Sequence, residues 1–210
     1  LKDLHRDNRD SYPENFNIRV HRALSWLGKS EQEKDPGAQF IFLWISLNST
    51  YSIKDNEYST SEKPKDFELR YMFFISLVKH GKEEIDEAIK KLWGKEIHDI
   101  LDNEQLLNDY WDKDEYDYYE KKYKDKEKVK KALENNKNVS KTILPILFDR
   151  LYVLRNQIFH GFSTYNSGAN RDTVISGSNV LQILVPLFIM IMMNYADEDW
   201  GTIAYHPDGR

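Results

Sequence analysis

Apolar side chains recur at steps of three and four residues along most of the chain, which is the spacing of an amphipathic α-helix. The clearest stripe in the first half of the chain contains Phe40, Leu43, Trp44, Leu47 and Tyr51. No segment of any length alternates apolar and polar residues as a strand does. The chain is therefore predicted to be all-α, with helices over about residues 18–28, 40–51, 66–79, 83–101 and 142–160, and a last long helix after residue 173.

Polar segments suggest how this pattern is divided. Residues 1–17 are polar and predict a loosely held N-terminal arm, followed by a single helical domain over residues 18–200. From residue 109 to 141 the composition shifts to mixed charges, and seven lysines between 121 and 131 are interleaved with aspartate and glutamate. Mixed charges of this kind favour a solvent-exposed helical insertion over an RNA-binding patch.

The segment from Val174 to Ala196 contains no charged residue, and it is long enough to be mistaken for a membrane span. Ser176, Asn179 and Gln182 interrupt its apolar character, which favours a helix buried in the protein. Pro186 is expected to kink this helix. No association with a membrane is predicted.

The amino-acid composition excludes several kinds of binding and catalytic site. The chain has no cysteine, which excludes disulfides, thiolate zinc sites and cysteine nucleophiles and is compatible with a reducing cytoplasm. The formal net charge of -5 is unlike that of a bulk electrostatic nucleic-acid binder, so any such chemistry must use a local basic site. With no signal peptide visible and no metal-binding motif, we expect a cytoplasmic protein without a metal or another cofactor.

Candidate chemistry lies on the helix predicted over residues 142–160. At about one hundred degrees per residue, Asp149, Asn156 and His160 fall on the side opposite the apolar stripe, and Arg155 falls at the edge of that stripe. A histidine can transfer protons near neutral pH, and an arginine can stabilise a phosphate in its transition state. This pair suffices for metal-free RNA cleavage by the ribose 2′-hydroxyl. A capping histidine beside a structural arginine gives the same pattern.

The segment Arg155-Asn-Gln-Ile-Phe-His160 resembles the R-N-x-x-x-H motif of HEPN domains, helical proteins of bacterial toxin–antitoxin and anti-phage systems. The similarity to one bacterial HEPN group extends over residues 38–53 and 142–195, and the middle of the chain is not specifically covered. The resemblance implies a HEPN-type helical bundle, into which the charged helical segment at about 109–141 is inserted.

In that family the motif arginine and histidine are the catalytic pair of metal-independent endoribonucleases, which leave a 2′,3′-cyclic phosphate. Carried over, the pair is Arg155 and His160, with Asn156 as a polar helper. Active members dimerise so that two motif helices form one composite site, and the face with Asp149 would then meet the partner. RNA would be the substrate, and any antitoxin would be a separate chain. Other members of the family bind RNA, a nucleotide or a protein partner without cutting, and this alternative stays open.

Two further polar residues are candidates for supporting roles. Asn48 lies on the apolar face of its helix, where it either ties two helices together or supports a site. Arg171, in the loop after the motif, either adds positive charge near the site or forms a surface salt bridge. A third reading is a structural helical subunit, in which Arg155 and His160 form salt bridges and capping bonds.

Overall fold

The computed structural model describes residues 1–53, 66–107, 115–161, 168 and 170–203, with only the backbone for 115–119. Within these ranges the chain forms helices and no strand, and the one β-type pairing is an isolated bridge between Ile53 and Ile203. The all-α prediction is confirmed. The helices are α1 (Lys2–Asn8), α2 (Glu14–Ser30), α3 (Pro36–Tyr51), α4 (Asp66–Leu92), α5 (His98–Asp102), α6 (Glu115–Glu134), α7 (Val139–Phe159) and α8 (Arg171–Asn194).

Helix α3 begins where the turn residues predict. The side chain of Asp35 accepts a hydrogen bond from the backbone N–H of Ala38 at 2.8 Å, and Pro36 occupies the first turn, where its missing N–H costs nothing. Phe40, Leu43 and Leu47 are each 0% exposed. This apolar stripe packs against α2 and α8 and forms one side of the core.

Helix α7 is capped by a residue from another helix. Asn138, which precedes it, has a φ of 53° and gives no side-chain cap. Instead Asp86 of α4 accepts hydrogen bonds from the backbone N–H of Ser140 at 2.8 Å and from the ammonium of Lys82 at 2.6 Å. Burial by itself raises the pKa of Asp86, but these two donors outweigh it, and the pKa is lowered.

Helix α8 lies at the centre of the bundle, against α2, α3 and α4. Val180, Leu184 and Phe188 are each 0% exposed, and the helix continues through Pro186 without ending. It is the one helix in the described ranges long and apolar enough to cross a membrane, and 56% of its most apolar window is buried inside the protein. That burial matches the predicted core helix.

The two helices predicted over residues 66–79 and 83–101 are arranged differently. They are joined in α4 across a kink at Gly81, where φ is -128° and ψ is 33°. A Cβ at Gly81 would overlap the side chain of Ile191, so glycine lets α8 approach α4 closely. After Leu92 the chain forms a π turn before the short helix α5.

The N-terminal segment, predicted to be a polar arm, is partly helical. Residues 2–8 form α1, and α2 begins at Glu14, before the predicted start at residue 18. His5 is 6% exposed and Phe16 is 5% exposed, and Tyr12 packs edge-on against Phe16. Most residues of this segment are polar and exposed, but these few large side chains anchor it to the protein.

One buried cation joins three parts of the chain. Arg19 of α2 is 1% exposed, and its guanidinium donates hydrogen bonds to the carbonyls of Thr50 at 3.0 Å, Ser52 at 2.9 Å and Gly201 at 2.9 Å. These carbonyls belong to the end of α3 and to the C-terminal segment beyond α8. Each bond supplies a partner that a buried polar group requires.

The charged insertion is helical, as predicted, but one side of it is buried. Val129 and Ala132 of α6 are 0% and 7% exposed, and α6 packs against α7. Asp125 accepts a hydrogen bond from Arg150 of α7 at 2.9 Å. Residues 109–114 of the predicted insertion lie outside the described residues. The helix is therefore docked on α7 and does not project into solvent.

Candidate functional site

The motif arginine lies near the C-terminal end of α7 with two uncharged partners. Arg155 Nη1 donates a hydrogen bond to Asn156 Oδ1 at 2.9 Å, and the guanidinium carbon lies 4.4 Å from the centroid of the Phe159 ring. Phe159 is 54% exposed. Within the described ranges no carboxylate forms an ion pair with Arg155. A cation held by an amide and an aromatic face keeps its charge available to an anion.

The motif histidine follows directly after the last residue of α7. His160 is exposed, with φ of -93° and ψ of 5°, and its backbone N–H donates to the carbonyl of Asn156 at 3.0 Å. Gly161 then takes the left-handed conformation, with a φ of 69°, which ends the helix. The predicted stop at Gly161 therefore places the imidazole at the surface.

Helical spacing puts these residues on adjacent faces of the last two turns. Asn156 and His160 are four positions apart and so lie on one face, and Arg155 and Phe159 share the neighbouring face in the same way. Arg155 and Asn156 are each half-buried, whereas Phe159 and His160 are exposed. The structure thus brings Arg155, Asn156 and His160 together at one accessible end of α7.

Asp149, predicted on the same face, belongs to a different group of residues. It accepts a hydrogen bond from Nη2 of Arg70 at 3.3 Å, and Nη1 of Arg70 donates to Asp66 at 2.9 Å. Arg70 is 3% exposed, and its guanidinium lies 5.2 Å from the centroid of the Tyr152 ring. Protein atoms around Asp149 displace water and raise the pKa of its carboxyl, and Arg70 opposes that increase, although 61% of the side chain is exposed.

Asn48 joins the same network from α3. Its Oδ1 accepts a hydrogen bond from the hydroxyl of Tyr51 at 2.7 Å, and that hydroxyl also lies 3.2 Å from Asp66. Burial, with the charge of Asp66, raises the pKa of Tyr51 well above its usual range despite the opposing charge of Arg70. The hydrogen bond of Asn48 therefore lies within α3, and Asn48 is linked to α4 only through the hydroxyl of Tyr51.

The network around Arg70 and the motif are separate along α7. Asp149 and His160 lie eleven positions apart, which is about 16 Å along a helix axis. The structure connects Asn48 with Asp149 and places neither against His160. Sequence reasoning missed Arg70, because it stands alone among apolar residues without a motif. Its one signal was its position four residues after Asp66, a spacing at which opposite charges pair on a helix.

A second missed residue is Gln157, the third residue of the motif. It is 5% exposed, and its Nε2 donates to the backbone carbonyl of Gln105 at 2.8 Å. Its Oε1 lies 3.4 Å from Nδ2 of Asn170, the residue before α8. Arg171 follows Asn170 and is exposed at the first position of α8.

The three motif side chains offer several hydrogen-bond donors. An arginine, an amide and an imidazole supply N–H donors that suit an anionic ligand. In the part of the chain that the structure describes, no three histidine or carboxylate side chains are grouped so that they could hold a metal ion.

Comparisons with known proteins assign no role to these residues. No family model matches the chain. No curated protein and no solved structure matches it either. The resemblance to HEPN domains therefore rests on the motif residues and on the two similar segments, and it stays a hypothesis.

Proposed function

We propose that this chain is a metal-independent endoribonuclease of the HEPN type that cuts RNA with Arg155, Asn156 and His160. One observation carries the proposal: among the residues that the structure describes, Arg155 has uncharged partners only, and it lies on the exposed ring of Phe159, beside an exposed histidine at the end of the same helix. A structural arginine is expected to be ion-paired and buried, as Arg70 is.

The chemistry assigned to these residues is an attack by a ribose 2′-hydroxyl on the adjacent phosphorus. The imidazole of His160 takes the hydroxyl proton or gives a proton to the departing 5′-oxygen. Arg155 stabilises the additional negative charge on the phosphate, and Asn156 orients its guanidinium. The bond from phosphorus to the 5′-oxygen breaks, which leaves a 2′,3′-cyclic phosphate and a 5′-hydroxyl.

Two copies of the chain complete this reaction. The step needs both a base and an acid, and the motif supplies one histidine per chain. A homodimer in which two α7 helices meet would place one His160 on each side of the scissile phosphate. Each chain would then contribute the same surface, as a two-fold interface requires.

An exposed apolar stripe supports this arrangement. Phe67, Tyr71 and Ile75 of α4 follow one another at steps of four, so they lie on one face, and they are 53%, 52% and 56% exposed. A cavity of about 390 Å³ is bordered by Phe67 and Tyr71 together with Pro145 and Asp149 of α7. The stripe is thus continuous with the outward face of α7, and a second copy would cover both.

The biological setting follows from the resemblance. Toxin–antitoxin and anti-phage systems of bacteria act in the cytoplasm, and the antitoxin in this proposal is a separate chain. The net charge of -5 predicts weak nonspecific affinity for RNA. Substrate choice would then depend on the local geometry around Arg155.

Cleavage of labelled single-stranded RNA in excess EDTA tests the proposal, with the product ends identified. We expect His160→Ala to lower the rate by about a hundredfold or more, the usual contribution of a proton-transfer group. His98→Ala is the matched control, because His98 is also exposed and pairs with Asp102 at 3.0 Å on another surface. It should cut like the wild type, and all three proteins should elute as dimers.

The other outcomes separate the alternatives. Equal cleavage by wild type and His160→Ala would contradict the proposal and indicate another site or a contaminant. RNA binding that Arg155→Ala weakens, without cleavage by any protein, would identify a noncatalytic RNA-binding module. Wild-type products with 3′-hydroxyl ends would rule out attack by the 2′-hydroxyl.

A further inference from the structure

A cavity of about 610 Å³ lies between α1 and α2, away from the motif residues in the sequence. This volume is within the range of about 300–1,000 Å³ that is typical of small-molecule sites. Ile18 and Leu24 give the cavity an apolar wall. The polar side of its lining is basic, and includes Lys2, His5, Arg6, Arg9, His21 and Arg22.

The charges of the N-terminal segment are sorted by face. Lys2, His5, Arg6 and Arg9 follow helical spacing and line the cavity, whereas the acidic residues at positions 3, 7 and 10 follow the same spacing on an exposed face. Arg6 pairs with Asp3 at 3.0 Å, and Arg9 lies 3.7 Å from Asp10. These pairs are exposed at the surface, where such contacts hold an arginine only weakly.

Two buried polar atoms in the cavity wall lack a partner. His5 is 6% exposed, and its Nε2 has no hydrogen-bond partner. Oδ1 of Asn17, which also lines the cavity, is buried and unpartnered in the same way. The two side chains interact with each other, but neither atom has a contact of hydrogen-bond geometry, and buried polar atoms that lack one favour a polar ligand.

The backbone of α2 makes room for one of the cations. The ammonium of Lys2 lies over Gly28, where an added Cβ would be only 2.7 Å from Nζ. A larger residue at position 28 would displace this ammonium. Burial lowers the pKa of His5, and the charges of His21 and Arg9 act in the same direction, against an opposing contribution from Asn17. An anion placed among these groups would therefore relieve their mutual repulsion.

We propose that this cavity binds a small molecule carrying two or three linked phosphate groups. Several flexible cations and a buried imidazole around one space suit more than one phosphate. The apolar wall formed by Ile18 and Leu24 would contact the rest of the molecule. The inference does not rest on ribonuclease activity, because none of these residues belongs to the α7 motif.

Isothermal titration calorimetry in EDTA tests the site with inorganic triphosphate, ATP and orthophosphate as separate probes. We expect one saturable site for triphosphate and ATP and much weaker binding of orthophosphate. Arg6→Gln combined with Arg9→Gln should raise the Kd for triphosphate about tenfold or more, since each charge-assisted hydrogen bond is worth about a factor of ten. Lys128→Gln, on the exposed side of α6, is the matched control and should leave the Kd unchanged.

A second measurement uses only the wild-type protein, so that unfolding of a variant cannot affect the result. In NMR spectra of the wild type, triphosphate should shift the imidazole signals of His5 and His21 and leave that of His98 in place. Equal affinity for triphosphate and ATP would identify the phosphate chain as the whole ligand, and tighter binding of ATP would add a base on the apolar wall.

Three results would overturn the proposal. The first is the absence of saturable binding by either polyphosphate up to millimolar concentration. The second is equal weakening by Lys128→Gln and by the double variant, which would show a diffuse charge effect. The third is a short single-stranded RNA that binds through Arg6 and Arg9 and that triphosphate cannot displace, which would make the cavity part of a nucleic-acid surface.

Discussion

The middle and the C-terminal end of α7 use the same kind of side chain in opposite ways. Arg150, near the middle of the helix, is 3% exposed and donates to Asp125 at 2.9 Å. Arg155, five residues later, has an amide and an aromatic ring as partners. The first arginine is neutralised inside the fold, whereas the second keeps its positive charge near the surface. The difference makes Arg155, and not Arg150, the candidate for contact with an anion.

The start and the end of α7 also differ in how they are held. The start of α7 is fixed by a buried carboxylate of α4, Asp86, that satisfies both a backbone N–H and an ammonium. The end of α7 finishes on an exposed histidine and a glycine. Interactions at the start of the helix stabilise the fold, and the end is open to solvent. Substitutions along one helix can therefore measure the contrast.

The largest effect is expected at Arg150. Arg150→Met leaves the carboxylate of Asp125, which is 15% exposed, without its buried partner. Loss of one member of a buried ion pair costs about 3–5 kcal/mol, and the remaining exposure of Asp125 places our expectation at about 3 kcal/mol. Urea unfolding followed by circular dichroism measures the change. A loss under about 1 kcal/mol would show that the pair contributes little and would weaken the comparison.

The cap at Asp86 gives the next effect. Asp86→Asn should lower the free energy of unfolding at neutral pH by about 1–2 kcal/mol, the range for helix caps. Because the pKa of Asp86 is lowered in the folded state, the stabilisation is complete above the ordinary carboxyl pKa of 3.8 and is lost as the pH falls through the folded value.

Urea unfolding of wild type and Asp86→Asn between pH 7 and pH 2 checks this sign. The difference between the two proteins should be constant in the neutral range and should shrink only at acidic pH. A difference that grows as the pH falls would show that the carboxylate is not the stabilising form.

Gly161 gives a smaller effect at the other end of α7. Gly161→Ala should cost about 1 kcal/mol, because φ is 69° and an L residue is strained there, although nothing lies within 4 Å of the added Cβ. Gly94→Ala is the control, since Gly94 has equally open space without a positive φ. Thermal unfolding of both variants measures the backbone strain at position 161, because neither added Cβ meets another atom. Equal melting temperatures of the two variants would contradict the assignment of strain to Gly161.

The smallest effect on stability is expected at Arg155. Arg155→Ala removes a contact with a half-exposed ring and an amide, worth about 0.5–1 kcal/mol at such sites. The same substitution should nearly abolish RNA cleavage under the proposed function. A stability loss as large as that of Arg150→Met would place Arg155 among the structural arginines and remove the basis of the proposal.

The sequence was most informative where one helix carries its own signal. The stripes of α3 and α8 and the stop at Gly161 predicted helices that the structure contains, because spacing and turn residues act locally. The arrangement of Arg155, Asn156 and His160 at one end of α7 followed from the same local geometry.

Features that depend on distant partners could not be predicted in this way. Arg70 binds Asp149 across 79 positions, and Asp86 caps α7 across 54. Asn48 appeared as an isolated amide on an apolar face, and its partner network became visible only in three dimensions. The buried side of α6 was hidden because two small apolar residues do not stand out among so many charges.

The hydrogen bonds of Arg19 have a consequence for how the chain folds. Its guanidinium donates hydrogen bonds to carbonyls that are 31, 33 and 182 positions away in the sequence. Contacts that span such distances require the closure of long loops, so the bond to Gly201 is expected to form late in folding. Once it has formed, fraying of the C-terminal segment leaves a buried donor unpaired, which couples that segment to α2. Helix α2 and the residues around Gly201 should therefore open in the same cooperative unit, although they lie near opposite ends of the sequence.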